Sequence, residues 1–161
     1  MVLNIHARDL RTSRDAVGAL LDSLASKQDL LWPCDHWPAM RFDRPLQVGA
    51  VGGHGPIRYR VERYEPGRAI RFRFTGPRGF QGTHGFELKA STPGITHLEH
   101  RLCMRLSGVA RLSWPLIFRW LHDALIEDAL DRAEASITSQ PLHERHWSLW
   151  VRFLRCIASR K

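Results

Sequence analysis

Apolar and polar positions along the chain change period several times, and those changes divide it into elements. Residues 2–10 (VLNIHARDL) alternate, with Leu3, Ile5 and Ala7 on one face and Asn4, His6 and Arg8 on the other. That period of two predicts a half-buried strand with its apolar side inward. A helical period follows. Ser13 stands where an N-cap belongs, and Val17, Leu20, Leu21 and Leu24 recur at helical spacing. A further helical turn at Asp29–Trp32 is closed by Pro33, and residues 33–45, with three prolines, read as a connection with at most a short strand.

From residue 46 the pattern is β. LQVGAV at 46–51 leads into the turn cluster GGHGP, and IRYRVERYE at 57–65 puts Ile57, Tyr59 and Val61 opposite Arg58, Arg60 and Glu62. After the turn PGR, AIRFRFT opposes Ile70, Phe72 and Phe74 to Arg71 and Arg73. The loop GPRGFQG leads to THGFELKAS at 83–91, where His84, Phe86 and Leu88 share a face. TPG then joins ITHLEHRLCMRLSG, with Leu98, His100, Leu102, Met104 and Leu106 on one side. Strands linked by such short turns form an antiparallel meander with one apolar and one wet face. The apolar face needs a cover. Residues 113–139 supply it as one long helix, with Ser113 as cap and Pro115 in its first turn.

This order of elements resembles the helix-grip fold of the START-like (SRPBCC) superfamily, and within it the polyketide cyclase/dehydrase and lipid-transport group. The stretches that carry the resemblance are IHARDLRTSRDAVGALLDS, IRYRVERYEPGRAIRFRFTG, GFELKASTPGITHLEHRL and LIEDALDRAEASI, together spanning about residues 2–139. The resemblance implies an α+β fold in which a curved antiparallel sheet wraps around a long C-terminal helix, with a cavity between them for an apolar small molecule such as a lipid or polyketide. Function does not follow from fold. Strand parity therefore selects the candidate contacts: Tyr59, His84 and His100 as polar groups, with Phe72, Phe74, Phe86, Met104, Trp120 and Leu125 as lining. Either His84 or His100 is the candidate general acid or base if the domain is an enzyme. Arg78 and Phe80 are placed at the cavity mouth.

The tail adds a feature the resemblance does not cover. Beyond Pro141, Trp147, Trp150, Val151, Leu154 and Ile157 form an apolar stripe opposite Ser148, Arg152, Arg155 and Ser159. The reading is thus a ligand-binding domain at 1–140 and a basic amphipathic helix at 141–161. The helix, through Trp147, Trp150, Arg152, Leu154 and Arg155, packs on the domain, on a second copy of the chain, or on an anionic membrane surface.

Charge and composition narrow the classes. The chain of 161 residues carries 24 Lys and Arg against 16 Asp and Glu, a net charge of +8, with lysine only at 27, 89 and 161. No helix-turn-helix, zinc-finger or aromatic RNA-binding pattern accompanies that charge, so nucleic acid is not an expected partner. HLEH at 97–100 sends His97 and Glu99 to one side of a strand and His100 to the other, so no metal site is expected there or elsewhere. Cys34, Cys103 and Cys156 are too widely spaced for a CxxC motif, and GAVGGHG at 49–55 lacks the lysine of a phosphate loop, so no cofactor is expected. The N-terminus lacks the apolar core of a secretory signal and no apolar run approaches the roughly eighteen residues of a spanning helix. The expected location is the cytoplasm, at the inner membrane face if the tail engages lipid.

Overall fold

The computed structural model describes residues 1–89, 92–139 and 147–158. The Pro141 break, residues 143–146 of the tail and Ser159 lie outside the described residues. Seven strands form one sheet in the order β1-β7-β6-β5-β4-β3-β2, every neighbour antiparallel. They are β1 (Val2–Leu10), β2 (Arg41–Phe42), β3 (Val51–His54), β4 (Ile57–Glu65), β5 (Ala69–Gly76), β6 (Phe80–Lys89) and β7 (Thr96–Leu106). The helices are α1 (Arg14–Asp22), α2 (Ala110–Ser113), α3 (Arg119–Thr138) and α4 (Leu149–Ala158). The meander, the long helix across its inner face and the additional final helix make this a helix-grip α+β fold.

Local chemistry explains most of the elements. The Ser13 hydroxyl accepts from Ala16 N at 3.3 Å and caps α1, whose Val17, Leu20 and Leu21 are buried. The Asp29 carboxylate collects the amides of Ala25, Leu31 and Trp32 at 2.8, 3.0 and 2.7 Å, which folds residues 25–32 into a loop rather than a helical turn. Tyr59, Val61, Ile70, Phe72, Phe86, Leu88, Leu98 and Leu102 all fall on the buried side of the sheet, as alternation requires. The arginines at 58, 60, 71 and 73 point out, and Glu62 bridges Arg71 and Arg73.

Four further local readings of the sequence are overturned. Residues 46–50 are not a strand: β3 starts at Val51 and runs through the glycines expected to turn. Gly52 and Gly53 are required there because a Cβ would strike the Arg41 and Ile57 carbonyl oxygens. Likewise β6 begins at Phe80, so the loop before it is shorter than expected. The long helix begins at Ala110, and Pro115 lies inside it within a π-helical turn at Trp114–Phe118. Proline cannot donate to the ladder and crowds the preceding turn. The wider turn, in which Arg119 N donates to Trp114 O, accommodates it.

The fourth correction matters most for the site. In β1 the side turned to the protein is Asn4, His6 and Arg8, while Leu3 and Ile5 are 54% and 43% exposed. The reason is the helix that β1 meets. Asp123, Glu127, Asp131 and Glu134 make an acidic stripe along α3, and β1 answers it with its polar residues. Asn4 Nδ2 donates to Asp123 at 2.8 Å, and His6 Nδ1 lies 2.7 Å from Glu127. Arg8 reaches Glu127, Asp131 and Glu134 at 3.3, 2.8 and 2.7 Å. Half-buried charges are retained where each finds a partner.

Candidate functional site

Between the sheet and the long helix lies a cavity of about 210 Å³. The strands contribute His54, Ile57, Phe74, Phe80, His84 and Leu102. The helix contributes Trp114, Phe118, Leu121, His122, Leu125 and Ile126. Trp32, His36, Trp37 and Pro38, from the proline-rich connection, close one side, and Arg155 and Ala158 of α4 close another.

Of the contacts expected from the sequence, Phe74, His84 and Leu125 line this cavity, and Phe80 does as well. Tyr59, Phe72, Phe86, His100 and Met104 are buried but sit behind the wall rather than in it. Tyr59 OH and His54 Nδ1 share a hydrogen bond of 2.9 Å, and Phe72 packs on Tyr59 and Phe42. Met104 belongs to a separate cluster with Phe80, Leu102 and Trp114. Trp120 is on the outside, 46% exposed. The Trp120 indole donates to Pro115 O, within the π-helical turn, at 3.0 Å instead of turning inward. Arg78 is not among the lining residues.

Sequence reasoning missed Trp32, Trp37, His54, Trp114, Phe118 and His122 as wall residues. His54 was hidden in a glycine-rich stretch that reads as a turn. The two tryptophans stand in a proline-rich connection, and their density over so short a span was the available signal.

A row of polar aromatic rings runs through this region. Ring centroids are 5.6 Å apart for His54–Tyr59, 4.9 Å for Tyr59–His84 and 5.7 Å for His84–His100. The row continues at 5.1 Å for His100–His122 and 5.9 Å for His122–His6. Burial pushes the His54 imidazole down to about 3 and holds His84, His100 and His122 below the usual histidine range, so all four are neutral at pH 7. His6, at the outer end, is raised by its hydrogen bond to Asp123. Buried polar atoms are normally paired. Yet among the described residues His84 Nε2, His122 Nε2 and both nitrogens of His100 have no hydrogen-bond partner. His84 and His122 are cavity residues, so the wall is mostly apolar with two neutral imidazoles in it, whose unpartnered Nε2 atoms are themselves buried.

The expected metal-ligand split in HLEH holds geometrically: His97 bonds Asp9 at 2.7 Å, Glu99 meets Lys89 and Arg101, and His100 faces the core.

The tail helix is fixed to this site by a buried acid. Asp128 Oδ2 accepts from the indoles of Trp37 and Trp147 at 2.7 and 3.0 Å. The Arg155 guanidinium lies 3.5 Å from the Trp147 ring centroid and 4.5 Å from that of Trp37, and donates to His36 O. Val151 and Leu154 are buried beneath. Arg155 thus faces the body of the protein, not the wet side of an amphipathic helix. Trp150, Arg152 and Phe153 face outward. No helix among the described residues is long and apolar enough to cross a membrane.

No protein-family model and no curated protein sequence matches the chain. Solved structures do. A protein from Thermobifida fusca matches with a TM-score of 0.65 at 13% identity, covering 91% of this chain and 99% of the other. CalU16 from Micromonospora echinospora gives 0.60 at 16% identity, covering 98% and 84%. The Aha1 dimer from Colwellia psychrerythraea gives 0.50 at 15% identity, covering 78% and 96%. Likeness at these identities is one of architecture. It agrees with the helix-grip fold derived above and leaves function to the cavity's own chemistry.

Proposed function

We propose that this protein binds a small, largely apolar molecule bearing one or two oxygen functions in the cavity between sheet and long helix. The observation that carries the reading is an enclosed, mostly apolar cavity whose wall includes the neutral imidazoles of His84 and His122. Burying the guest's hydrocarbon supplies affinity at about 25 cal/mol per Å². The imidazoles orient it once a turn of the ring brings a buried nitrogen to the guest's oxygen, which removes the cost of leaving that atom unpaired. At about 210 Å³ the cavity is smaller than the roughly 300–1,000 Å³ of typical drug-sized sites. That favours a substituted aromatic ring or short acyl chain over a sterol or long-chain lipid. The neutral state of His84 and His100 at pH 7 supports hydrogen bonding over a role as general acid in a cyclase-type reaction.

Native mass spectrometry of the protein purified from cells, followed by denaturing extraction, tests the reading. A stoichiometric small apolar adduct that His84→Leu weakens is the expected result. An apo mass, together with no chemical-shift change at cavity residues on titration with 2-naphthol, overturns it.

A second reading, delivery at a membrane surface, is favoured by one further observation. Leu112, Leu116 and Trp120 of the long helix and Leu149, Trp150 and Phe153 of α4 are all exposed. The two helices are joined there by the Trp150 indole, which donates to Leu116 O at 3.0 Å. Arg111, Arg119 and Arg152, also exposed, belong to the same two helices. Apolar and indole groups rimmed by arginine suit an anionic lipid interface. Sedimentation with phosphatidylglycerol vesicles at low salt, lost in a Trp150→Ser/Phe153→Ser variant, is expected. Dimerisation in light scattering with no vesicle binding would assign the face to a second copy; the Aha1 neighbour is itself described as a dimer.

A further inference from the structure

Where β1 crosses the first turns of α3, ligand-type atoms from two elements converge. One atom each from His6, His122 and Asp123 lies within 4.8 Å of the other two. His6 Nε2 is 3.2 Å and His122 Nδ1 3.3 Å from the same oxygen, Asp123 Oδ1. All three side chains are largely but not wholly buried, at 14%, 14% and 31% exposure.

Those separations are informative. Ion-paired hydrogen bonds run at about 2.7–2.9 Å. The other nitrogen of His6 meets that standard, with Nδ1 2.7 Å from Glu127 Oε1. The two contacts to Asp123 are longer, at the outer end of ordinary N–H···O hydrogen bonds. In a tetrahedral site the distance between ligands is about 1.6 times the bond length, so about 3.3 Å for bonds of roughly 2.0–2.1 Å; the two separations to Asp123 match it, and the two imidazole nitrogens lie within 4.8 Å of each other. His6 has a carboxylate at each ring nitrogen. When His6 donates from Nδ1 to Glu127, its Nε2 lone pair faces a carboxylate oxygen. A positive species must sit between them, either a proton or a metal cation. A carboxylate behind a histidine, fixing which nitrogen is free, is the usual outer support of a histidine metal ligand.

We propose that His6 Nε2, His122 Nδ1 and Asp123 bind a divalent first-row transition ion, with zinc as the ion this nitrogen–oxygen set suits. Three protein ligands leave one tetrahedral position open, as in reactive rather than purely structural zinc sites. Glu127 orients His6, and Asn4 Nδ2 donates to Asp123 Oδ1 at 2.8 Å. The nearest cation, Arg119, is 3.6 Å from Asp123 Oδ2, the oxygen the site does not need. Arg8 is engaged by Glu127, Asp131 and Glu134. The site also touches the cavity. Metal on His122 Nδ1 places the ring's proton on Nε2, the buried atom without a partner, and makes it a donor. The inference does not depend on the ligand-binding proposal, since it rests on the mutual contacts of His6, His122 and Asp123 and not on the cavity.

The test is calorimetric titration of the full-length, chelator-treated protein with Zn²⁺, and with Co²⁺ followed by its visible absorption. One ion per chain, with the intense bands of four-coordinate Co²⁺, is expected. Asp123→Asn and His6→Gln should weaken binding by more than about 100-fold and Glu127→Gln by about 10–100-fold. His97→Gln and Cys34→Ser should leave it unchanged. No saturable stoichiometric binding, or binding indifferent to both Asp123→Asn and His6→Gln, overturns the assignment and leaves a proton between His6 and Asp123. Should those variants fail to fold, imidazole nitrogen signals of the wild type decide. Zn²⁺ must shift His6 and His122, and a shift confined to His36 or His97 refutes the site.

Discussion

Replacing His54 by glutamine tests whether the cavity wall is dry. His54 lies on β3 in that wall, its Nδ1 bonded to Tyr59 OH and its ring 4.8 Å from Trp32. Burial lowers it from 6.5 to about 3 in the folded protein. In the unfolded chain it titrates near 6.5. Between those values the unfolded state binds the extra proton, so stability is complete above pH 6.5 and is lost as pH falls below it. At pH 7.5 the loss is negligible. At pH 5.5, one unit below the unfolded value, it is about 1.4 kcal/mol. Glutamine keeps a hydrogen-bonding group near Tyr59 and does not titrate. Urea unfolding followed by tryptophan fluorescence at the two pH values gives the comparison. The wild type should lose about 1.4 kcal/mol more than His54→Gln on going from pH 7.5 to 5.5. Contributions from other groups are common to both proteins and cancel, and so does any packing cost of the substitution, which does not depend on pH. Equal losses in the two proteins would refute the reasoning: His54 would then accept a proton in the folded state, and the cavity would be wet.

Three further outcomes are expected. Asp128→Ala removes the acceptor of two indole N–H groups and should cost about 2–5 kcal/mol in urea unfolding, with faster amide exchange in α4; unchanged exchange there would show that α4 is held by other contacts. Gly18→Ala should destabilise by about 1–3 kcal/mol, because its Cβ would come within 2.7 Å of Gly67 O and 2.8 Å of Gly67 Cα. A gain of the roughly 1 kcal/mol usual for alanine in a helix would disprove that close approach. Ile5→Thr should change the melting free energy by no more than about 0.5 kcal/mol, since Ile5 faces outward, whereas a core isoleucine would cost several times more.

What the sequence determined by itself is everything that depends on local periodicity. The α1 cap at Ser13, the hairpins from β4 to β7, the inward parity of Tyr59, Phe72, Phe86 and His100, and the outward arginines follow from alternation and turn chemistry over a few residues. So does the need for a long helix to cover the sheet. Tertiary structure decided what depends on the identity of the opposing surface. Alternation says that β1 has two faces, but not which of them meets a helix carrying Asp123, Glu127, Asp131 and Glu134; there, ion pairing outweighs the burial of Leu3 and Ile5. Parity also places a residue on the inner side of the sheet without saying how deep it lies. Phe74 and His84 therefore reach the cavity while Phe72 and His100 stop behind it. Trp120 lies outward with its indole donating to Pro115 O in the π-helical turn, an arrangement of backbone geometry that no count of apolar positions contains. The convergence of His6 with His122 and Asp123 spans more than a hundred residues of sequence. It exists only because an edge strand and a helix, each ordinary in its own pattern, are packed with their polar sides together.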